Sequence, residues 1–233
     1  MRAESIILLG AGGGTRELIA LMHHAESYPG GKRAWRVEGI LDDNRDLIGS
    51  VVAGVPVLGV LADVPRHKAA TFICGIANAR DRAIRLKVAE QMHLPDDRWA
   101  TFVHPQATVL DTAVLGPDVI IYPHAVVSSD AKVGAHTLAY YGAVIHHDSV
   151  VGEGCCICAG VLIAGYVNIG RGCYLGMGAT VRDRIRIGDG VLVGMGAAVV
   201  RDVEPGQIVA GVPARPLPAK GGDAPSRRKT ARR

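Results

Sequence analysis

Aromatic side chains are scarce in this 233-residue chain, which has two Phe, two Trp and six Tyr. None of them falls in its one strongly basic stretch, residues 220–233, so that stretch lacks the aromatic interleaving of a nucleic-acid-binding segment. Lys220, Arg227, Arg228, Lys229, Arg232 and Arg233 stand there against Asp223 alone, and they account for the formal charge of +4. The body of the chain is close to neutral, and residues 218–233 read as a basic, solvated, disordered tail. No apolar run approaches the roughly 20 residues that a membrane-spanning helix needs. The start, Met1-Arg2-Ala3-Glu4-Ser5, has no signal-peptide layout. A cytoplasmic protein with no membrane insertion and no nucleic-acid partner is expected. The five cysteines are an odd number, which fits reduced thiols better than a disulfide framework.

What the chain does have is a repeat. From Val109 to Val199 an aliphatic residue, once replaced by Ala139, recurs every six positions through sixteen anchors without a slip. A second track of small residues follows each anchor by four positions, as at Ala125, Ala131, Thr137, Ala143, Ser149 and Cys155. A fixed period of this length reads as a parallel β-helix, with each hexad a short strand plus a bend and the anchors stacked into one apolar column. Glycine often follows the anchor, at Gly116, Gly134, Gly152, Gly170, Gly176, Gly188 and Gly194, and the repeated turns are expected to place these residues at φ > 0. The phase puts Cys155 and Cys173 on the inward small track, where a thiol acts as a small hydrophobe. It leaves Cys156 and Cys158 on outward or corner positions.

The hexad phase is missing before about residue 100. There, residues 5–9 form an apolar strand that runs into Gly10-Ala11-Gly12-Gly13-Gly14-Thr15 and then a helix-spaced segment with Leu18, Ile19, Leu21 and Met22. Strand, glycine turn and helix make a phosphate-binding arrangement, although Thr15 stands where the dinucleotide fingerprint has its third glycine. A second strand, residues 35–41, ends in Asp42-Asp43-Asn44, which is either a plain turn or a carboxylate edge able to grip hydroxyls or an ammonium. A third, residues 70–74, ends in Gly75-Ile76-Ala77-Asn78 ahead of a basic helix over residues 80–93. The expected organisation is a Rossmann-like α/β domain with a small parallel sheet over residues 1–100, then an all-β helix of hexapeptide repeats over residues 101–217.

Histidine is the side chain best suited to proton transfer near neutral pH. Of His124, His136, His146 and His147, only His147 is followed directly by a carboxylate, Asp148, which can orient an imidazole and raise its basicity. A solvated pair on an outward corner is the competing reading. His124 and His136 are expected to be surface histidines. Zinc chemistry would need three converging histidines, and His124, His136 and His147 lack the close pair with four intervening residues that such a site uses, so no metal is expected.

The glycine turn of residues 10–14, Leu41-Asp42-Asp43, Phe102-Val103-His104-Pro105, His146-His147-Asp148 and Ala210-Gly211-Val212-Pro213-Ala214-Arg215 occur in an order that resembles a known family. It is that of bacterial sugar acyltransferases of the sialic-acid O-acetyltransferase type, which includes nucleotide-amino-sugar N-acetyltransferases. The resemblance runs from residue 5 to about residue 217. It implies a homotrimer of left-handed parallel β-helices with acetyl-CoA in the groove between subunits and a nucleotide-linked amino sugar on the N-terminal domain. It implies His147 as general base with Asp148 as its partner, and Gly12, Gly13, Gly14, Asp42, Asp43 and Asn78 as sugar-nucleotide contacts. It also implies Cys156, Gly165, Met177, Met195 and Arg215 along acetyl-CoA. The chain departs from the family in carrying Cys156 and Gly14 where relatives often have histidine, and in a longer connection over residues 27–34. The activity so implied is N-acetylation of a nucleotide-linked amino sugar for a surface glycan. O-acetylation of a sialic-acid-like sugar is the nearest alternative, followed by a carbonic-anhydrase-like metalloenzyme and a non-catalytic scaffold.

Overall fold

The computed structural model describes residues 4–28 and 35–218. The basic tail, from residue 219 on, and most of the lengthened connection, residues 29–34, lie outside the described residues. The N-terminal unit contains β1 (Glu4–Leu9), α1 (Gly13–Glu26), β2 (Trp35–Leu41), β3 (Val51–Val52), β4 (Val55–Gly59), β5 (Thr71–Cys74) and α2 (Ile84–Met92). The sheet order is β3-β4-β2-β1-β5, with every pairing parallel except the β3–β4 hairpin. That hairpin was not anticipated. It turns through Ala53 and Gly54, both at positive φ, as a two-residue hairpin loop between strands requires.

Helices cover both faces of the sheet, so β1 has no polar side. Ile6 and Leu8 pack with Leu18, Ile19 and Met22 of α1, whereas Ile7 and Leu9 pack with Phe72, Val88 and Trp99. The chain leaves β1 for β2 on one side and later returns to place β5 on the other. The glycine turn after β1 and the loop after β5 therefore flank a topological switch point, where open α/β sheets bind ligands. The second helix is shorter than the basic segment that announces it and ends at His93, which takes the left-handed conformation at φ 48.

From Phe102–Val103 to Ala198–Val199 the strands are two residues long, and within each stack parallel neighbours are eighteen positions apart, as Val126 is from Val144 and Val127 from Ile145. Three such stacks make the three faces of a left-handed prism. Anchors such as Val127, Ile145 and Val193 are fully buried. Val109 and Leu115 are only half-buried, because they lie on the first rung, with one open side. Cys155 and Cys173 are buried as the phase requires, and each thiol reaches a carbonyl on the next rung, Gly170 and Gly188, at 3.1 Å.

The glycines after the anchors have a different cause from the expected one. Positive φ falls three positions after each anchor from Leu115 to Val193, at Asp118, His124, Asp130, His136, Gly142, Asp148 and onward in register to Gly196. The anchor-following glycines are needed for close approach between rungs. A Cβ on Gly134 would lie 2.7 Å from the Glu153 nitrogen and 2.8 Å from the Gly152 carbonyl carbon.

One face, which includes the strands Phe102–Val103, Ile120–Ile121, Leu138–Ala139 and Cys156–Ile157, is covered by the N-terminal unit. The outward side chains Phe102, Ile120 and Leu138 are buried there. The second helix lies across three rungs at one edge of this face. Leu86 fills the space beside Gly154 and Gly172, and Arg82 Nε donates to the Gly190 carbonyl at 2.8 Å. At the centre of the junction Arg85 is fully buried. It donates to Asp118 Oδ2 at 2.8 Å, to the His136 carbonyl at 2.6 Å and to the Cys74 carbonyl. Asp118 Oδ1 in turn accepts from the Cys74 amide at 2.9 Å, so the end of β5 is bound to the prism. His136 is accordingly not the surface histidine that its outward phase implies. Its side chain is 12% exposed, its Nδ1 lies 3.0 Å from Asp118 Oδ2, and Trp99 packs edge-on at 4.9 Å.

Close packing and backbone conformation make different demands on the repeat. Gly134→Ala forces a methyl into the next rung and is expected to cost about 1–3 kcal/mol, the range for overpacking. Gly178 is at φ +69 with open space around its Cβ position, so Gly178→Ala is expected to cost only the left-handed penalty, about 1–2 kcal/mol. Thermal unfolding of the two variants measures both. A Gly134→Ala protein that melts with the parent would refute the close-approach account.

Candidate active site

His147 gets its position from the repeat. Ile145 points inward and Ser149 returns to the core, where its hydroxyl donates to the Ala164 carbonyl at 2.8 Å. Between them Asp148 takes φ 57, and the turn leaves the His147 and Asp148 side chains side by side outside the corner. Nδ1 of His147 lies 2.8 Å from Asp148 Oδ2, and the two side chains are 41% and 40% exposed. A carboxylate oxygen can only accept, so the hydrogen sits on Nδ1 and the Nε2 lone pair is free to take a proton. On the next rung Gly165 lies directly against the imidazole, and a Cβ there would be 2.7 Å from Cε1 and 2.9 Å from Nε2. The Tyr166 ring meets His147 edge-on at 5.2 Å, and Arg184 stacks on Tyr166 at 4.6 Å. Sequence reasoning missed Tyr166 and Arg184. Both could have been found by stepping eighteen positions from Asp148.

The ligand edge of the sheet sorts its residues into open and engaged ones. A Cβ on Gly12 would meet nothing within 4 Å, and on Gly13 only the Arg16 guanidinium at 3.8 Å, so the start of α1 is open to an anionic group. Gly14 instead faces β5, where a Cβ would be 2.7 Å from the Gly75 carbonyl oxygen. Thr15, in place of the third fingerprint glycine, is buried and its hydroxyl donates to the Gly10 carbonyl at 2.6 Å. Asp42 accepts from the Ala11 amide at 2.6 Å and from the Asn44 amide at 2.8 Å, so it holds the glycine turn in place. Asp43 accepts from the Leu61 amide through Oδ1 at 3.0 Å and is exposed. Asn78 caps its own loop by accepting from the Arg80 amide at 2.8 Å.

A cavity of about 310 Å³ lies between the two units, with Glu17, Asn78, Tyr141, Cys156, Cys158 and Met177 in its wall. It joins residues expected at the sugar, such as Asn78, with residues expected at the thioester, such as Cys156 and Met177. Tyr141 Oη donates to Glu17 Oε1 at 3.1 Å, and burial together with this carboxylate pushes its phenol up to about 12. Cys156 and Cys158 keep their outward and corner phase but are only 8% and 6% exposed, because the N-terminal unit covers their face. Met177 and Met195 stand exposed at 55% and 72% on the corner that follows the covered face. Arg215 is exposed beyond the last rung and donates to the Ala214 carbonyl at 2.8 Å.

His147 and Gly165 lie on the corner opposite the covered face, so one chain does not bring His147 to its own glycine turn or cavity. His124, His136 and His147 occupy three different corners. Among the described residues no group of three or more His, Cys, Asp or Glu is placed to hold a metal ion, and no helix is long and apolar enough to cross a membrane.

No family model matches the chain, and no curated protein matches it in sequence. Solved structures do match. The acetyltransferase domain of PglB from Neisseria gonorrhoeae FA1090 in complex with acetyl coenzyme A is 26% identical with a TM-score of 0.79, over 93% of this chain and 100% of that one. A mutant of GDP-perosamine N-acetyltransferase from Caulobacter crescentus, in complex with CoA and GDP-perosamine, has the same identity and TM-score over 95% and 99%. WeeI from Acinetobacter baumannii AYE is 26% identical with a TM-score of 0.75 over 92% and 100%. The fold and these likenesses define an acyltransferase of the hexapeptide-repeat kind. Within that class, the structures that this chain resembles over nearly its whole length include an acetyltransferase domain and a GDP-perosamine N-acetyltransferase.

The contact between Gly165 and the His147 ring has a measurable consequence. Gly165→Ala must displace the imidazole, and a displacement of about 1 Å can cost on the order of 10²-fold in rate. A fall of that size in kcat/KM, with an unchanged melting temperature, is the expected outcome. Parent-like activity would show that the ring position is immaterial.

Proposed function

We propose that this chain transfers the acetyl group of acetyl-CoA to the amino group of a nucleotide-linked amino sugar, with His147 as general base. The observation that carries the reading is the His147–Asp148 pair. It is an oriented imidazole with a free Nε2 on an exposed corner, in a fold whose likenesses include complexes with acetyl coenzyme A and with CoA plus GDP-perosamine. The sugar amine attacks the thioester carbonyl carbon, Nε2 takes the proton it loses, the carbon–sulfur bond breaks, and the CoA thiolate leaves. Asp148 holds the Nδ1–H tautomer and balances the imidazolium that forms.

The nucleotide sugar is assigned to the open start of α1, with Gly12 and Gly13 under the phosphates and Asp43 and Asn78 beside them. Asp42 and Gly14 act by shaping that turn. Acetyl-CoA is assigned to a groove that collects Gly165 from one corner and Met177, Met195 and Cys156 from another, with Arg215 toward its phosphates. Those corners belong to different sides of one prism, so the groove is formed by two chains, and a homotrimer is the assembly that repeats it three times. The face between them offers Val126, Val144, Leu162, Thr180 and Ala198 outward, a flat and largely apolar surface suited to burial between subunits. The reaction is placed in the cytoplasm, where acetyl-CoA and nucleotide sugars are both available.

Thiol release from acetyl-CoA in the presence of UDP-, GDP- and dTDP-linked amino sugars tests the reading. Turnover is expected with at least one nucleotide-linked amine. Activity confined to free sugars or to hydroxyl acceptors would overturn it. His147→Ala is expected to lose about 10²- to 10⁴-fold in rate, the contribution of a general base. A loss of only a few fold would remove His147 from that role.

A further inference from the structure

The proposed reaction gives no role to the pairing of two thiols in the cavity wall. Sγ of Cys156 and Sγ of Cys158 lie 3.9 Å apart, side by side at the end of a strand, and both line the cavity. The backbone explains why. Ile157 between them is a fully buried anchor, so its two neighbours are turned to the same outer side of the rung. The covering N-terminal unit then encloses both thiols beside a cavity that Asn78 and Glu17 also line. The remaining cysteines are placed differently, since Cys74, Cys155 and Cys173 are buried outside the cavity.

We propose that Cys156 and Cys158 form a two-sulfur capture site for a single thiophilic centre, a trivalent arsenical or a soft d10 cation, at the wall of the cavity between the two units. The separation fits that role. Two thiolates on one tetrahedral d10 cation with bonds of about 2.3 Å stand about 3.8 Å apart, and a pyramidal trivalent arsenic, whose bond angles are narrower, draws them a few tenths of an ångström closer. A disulfide would instead require the sulfurs to close to about 2.05 Å. Soft sulfur donors select soft centres, and Met177 contributes a thioether to the same wall.

The chemistry balances without an oxidant. With phenylarsine oxide the arsenic–oxygen bond breaks and two arsenic–sulfur bonds form. The oxygen leaves as water with both thiol protons, and arsenic stays trivalent. With Cd²⁺ two metal–sulfur bonds form and two protons pass to the buffer. An occupant would fill part of the space assigned to the sugar and the thioester, and that consequence alone rests on the proposed function.

The test reads binding, so it is independent of catalysis. Intact-mass measurement of the full chain with phenylarsine oxide is expected to show one arsenic per chain and the loss of two titratable thiols. Dithiothreitol should reverse it, and an equal thiol concentration of mercaptoethanol should not. Cys156→Ser and Cys158→Ser each open the chelate, and each is expected to weaken capture by about 10²-fold or more, the effective-concentration advantage of a second linked donor. Folding of both variants is checked by circular dichroism. A Cd²⁺ titration followed by thiolate-to-metal absorption tells whether a cation shares the site with arsenic. Absence of stoichiometric capture, or capture that persists in either serine variant, overturns the proposal whether or not the chain proves to be an acetyltransferase.

Discussion

The structure depends on one spacing, the distance between rungs of the prism. Each rung is held to the next by backbone hydrogen bonds between residues seventeen positions apart, such as Val126 N to Ala143 O at 2.8 Å and Ser128 N to Ile145 O at 2.9 Å. With that distance set by the ladder, an inward side chain has little room to vary in size, and anchor-following positions such as Gly116 and Gly134 have no room for a Cβ. The same constraint makes the corners regular. Whatever lies at an outward corner recurs directly above and below residues one rung away, which is how Gly165 comes to lie under His147 and Arg184 under Tyr166. The candidate base is thus held rigidly by backbone that has no chemical role of its own.

The second constraint is the junction with the N-terminal unit. Among the described residues Arg85 is the one cation placed wholly inside it; it pairs with the Asp118 carboxylate, and four carbonyl groups and the His136 side chain surround the pair. Burying a charge pair is unfavourable unless its remaining donors and acceptors are satisfied, and removing one partner typically costs about 3–5 kcal/mol. Here each group also ties a particular backbone atom. The Cys74 amide and carbonyl are both engaged, so the β5 end of the ligand edge is oriented relative to the prism. The cavity with Asn78 on one wall and Cys156 and Cys158 on the other results from that docking.

Much of this was legible in the residues. The hexad phase placed Cys155 and Cys173 in the core and put His147 and Asp148 together outside it. The apolar runs ending in glycine or carboxylate announced β1, β2 and β5. The readings that failed share a cause. His136 looked exposed because the phase describes only the prism, and Trp99 and Asp118 cover it from outside that pattern. The post-anchor glycines looked like turn residues because a sequence shows a glycine without showing whether φ or crowding demands it. Asp42 and Asp43 looked equivalent, yet hydrogen bonds to Ala11 and Asn44 occupy both oxygens of the first and leave the second more open.

By itself, the sequence determined the repeat, the inward and outward sense of each residue in it, and the identity of the imidazole–carboxylate pair. These follow from periodicity, which is a property of local backbone geometry and needs no knowledge of distant contacts. Only the tertiary structure decided that Gly165 supports the His147 ring, that Arg85 joins the two units, that Cys156 and Cys158 share a cavity with Asn78, and that His147 lies on the corner away from its own chain's glycine turn. Those facts depend on which face of the prism the N-terminal unit covers, and long-range packing and a buried ion pair settle that docking.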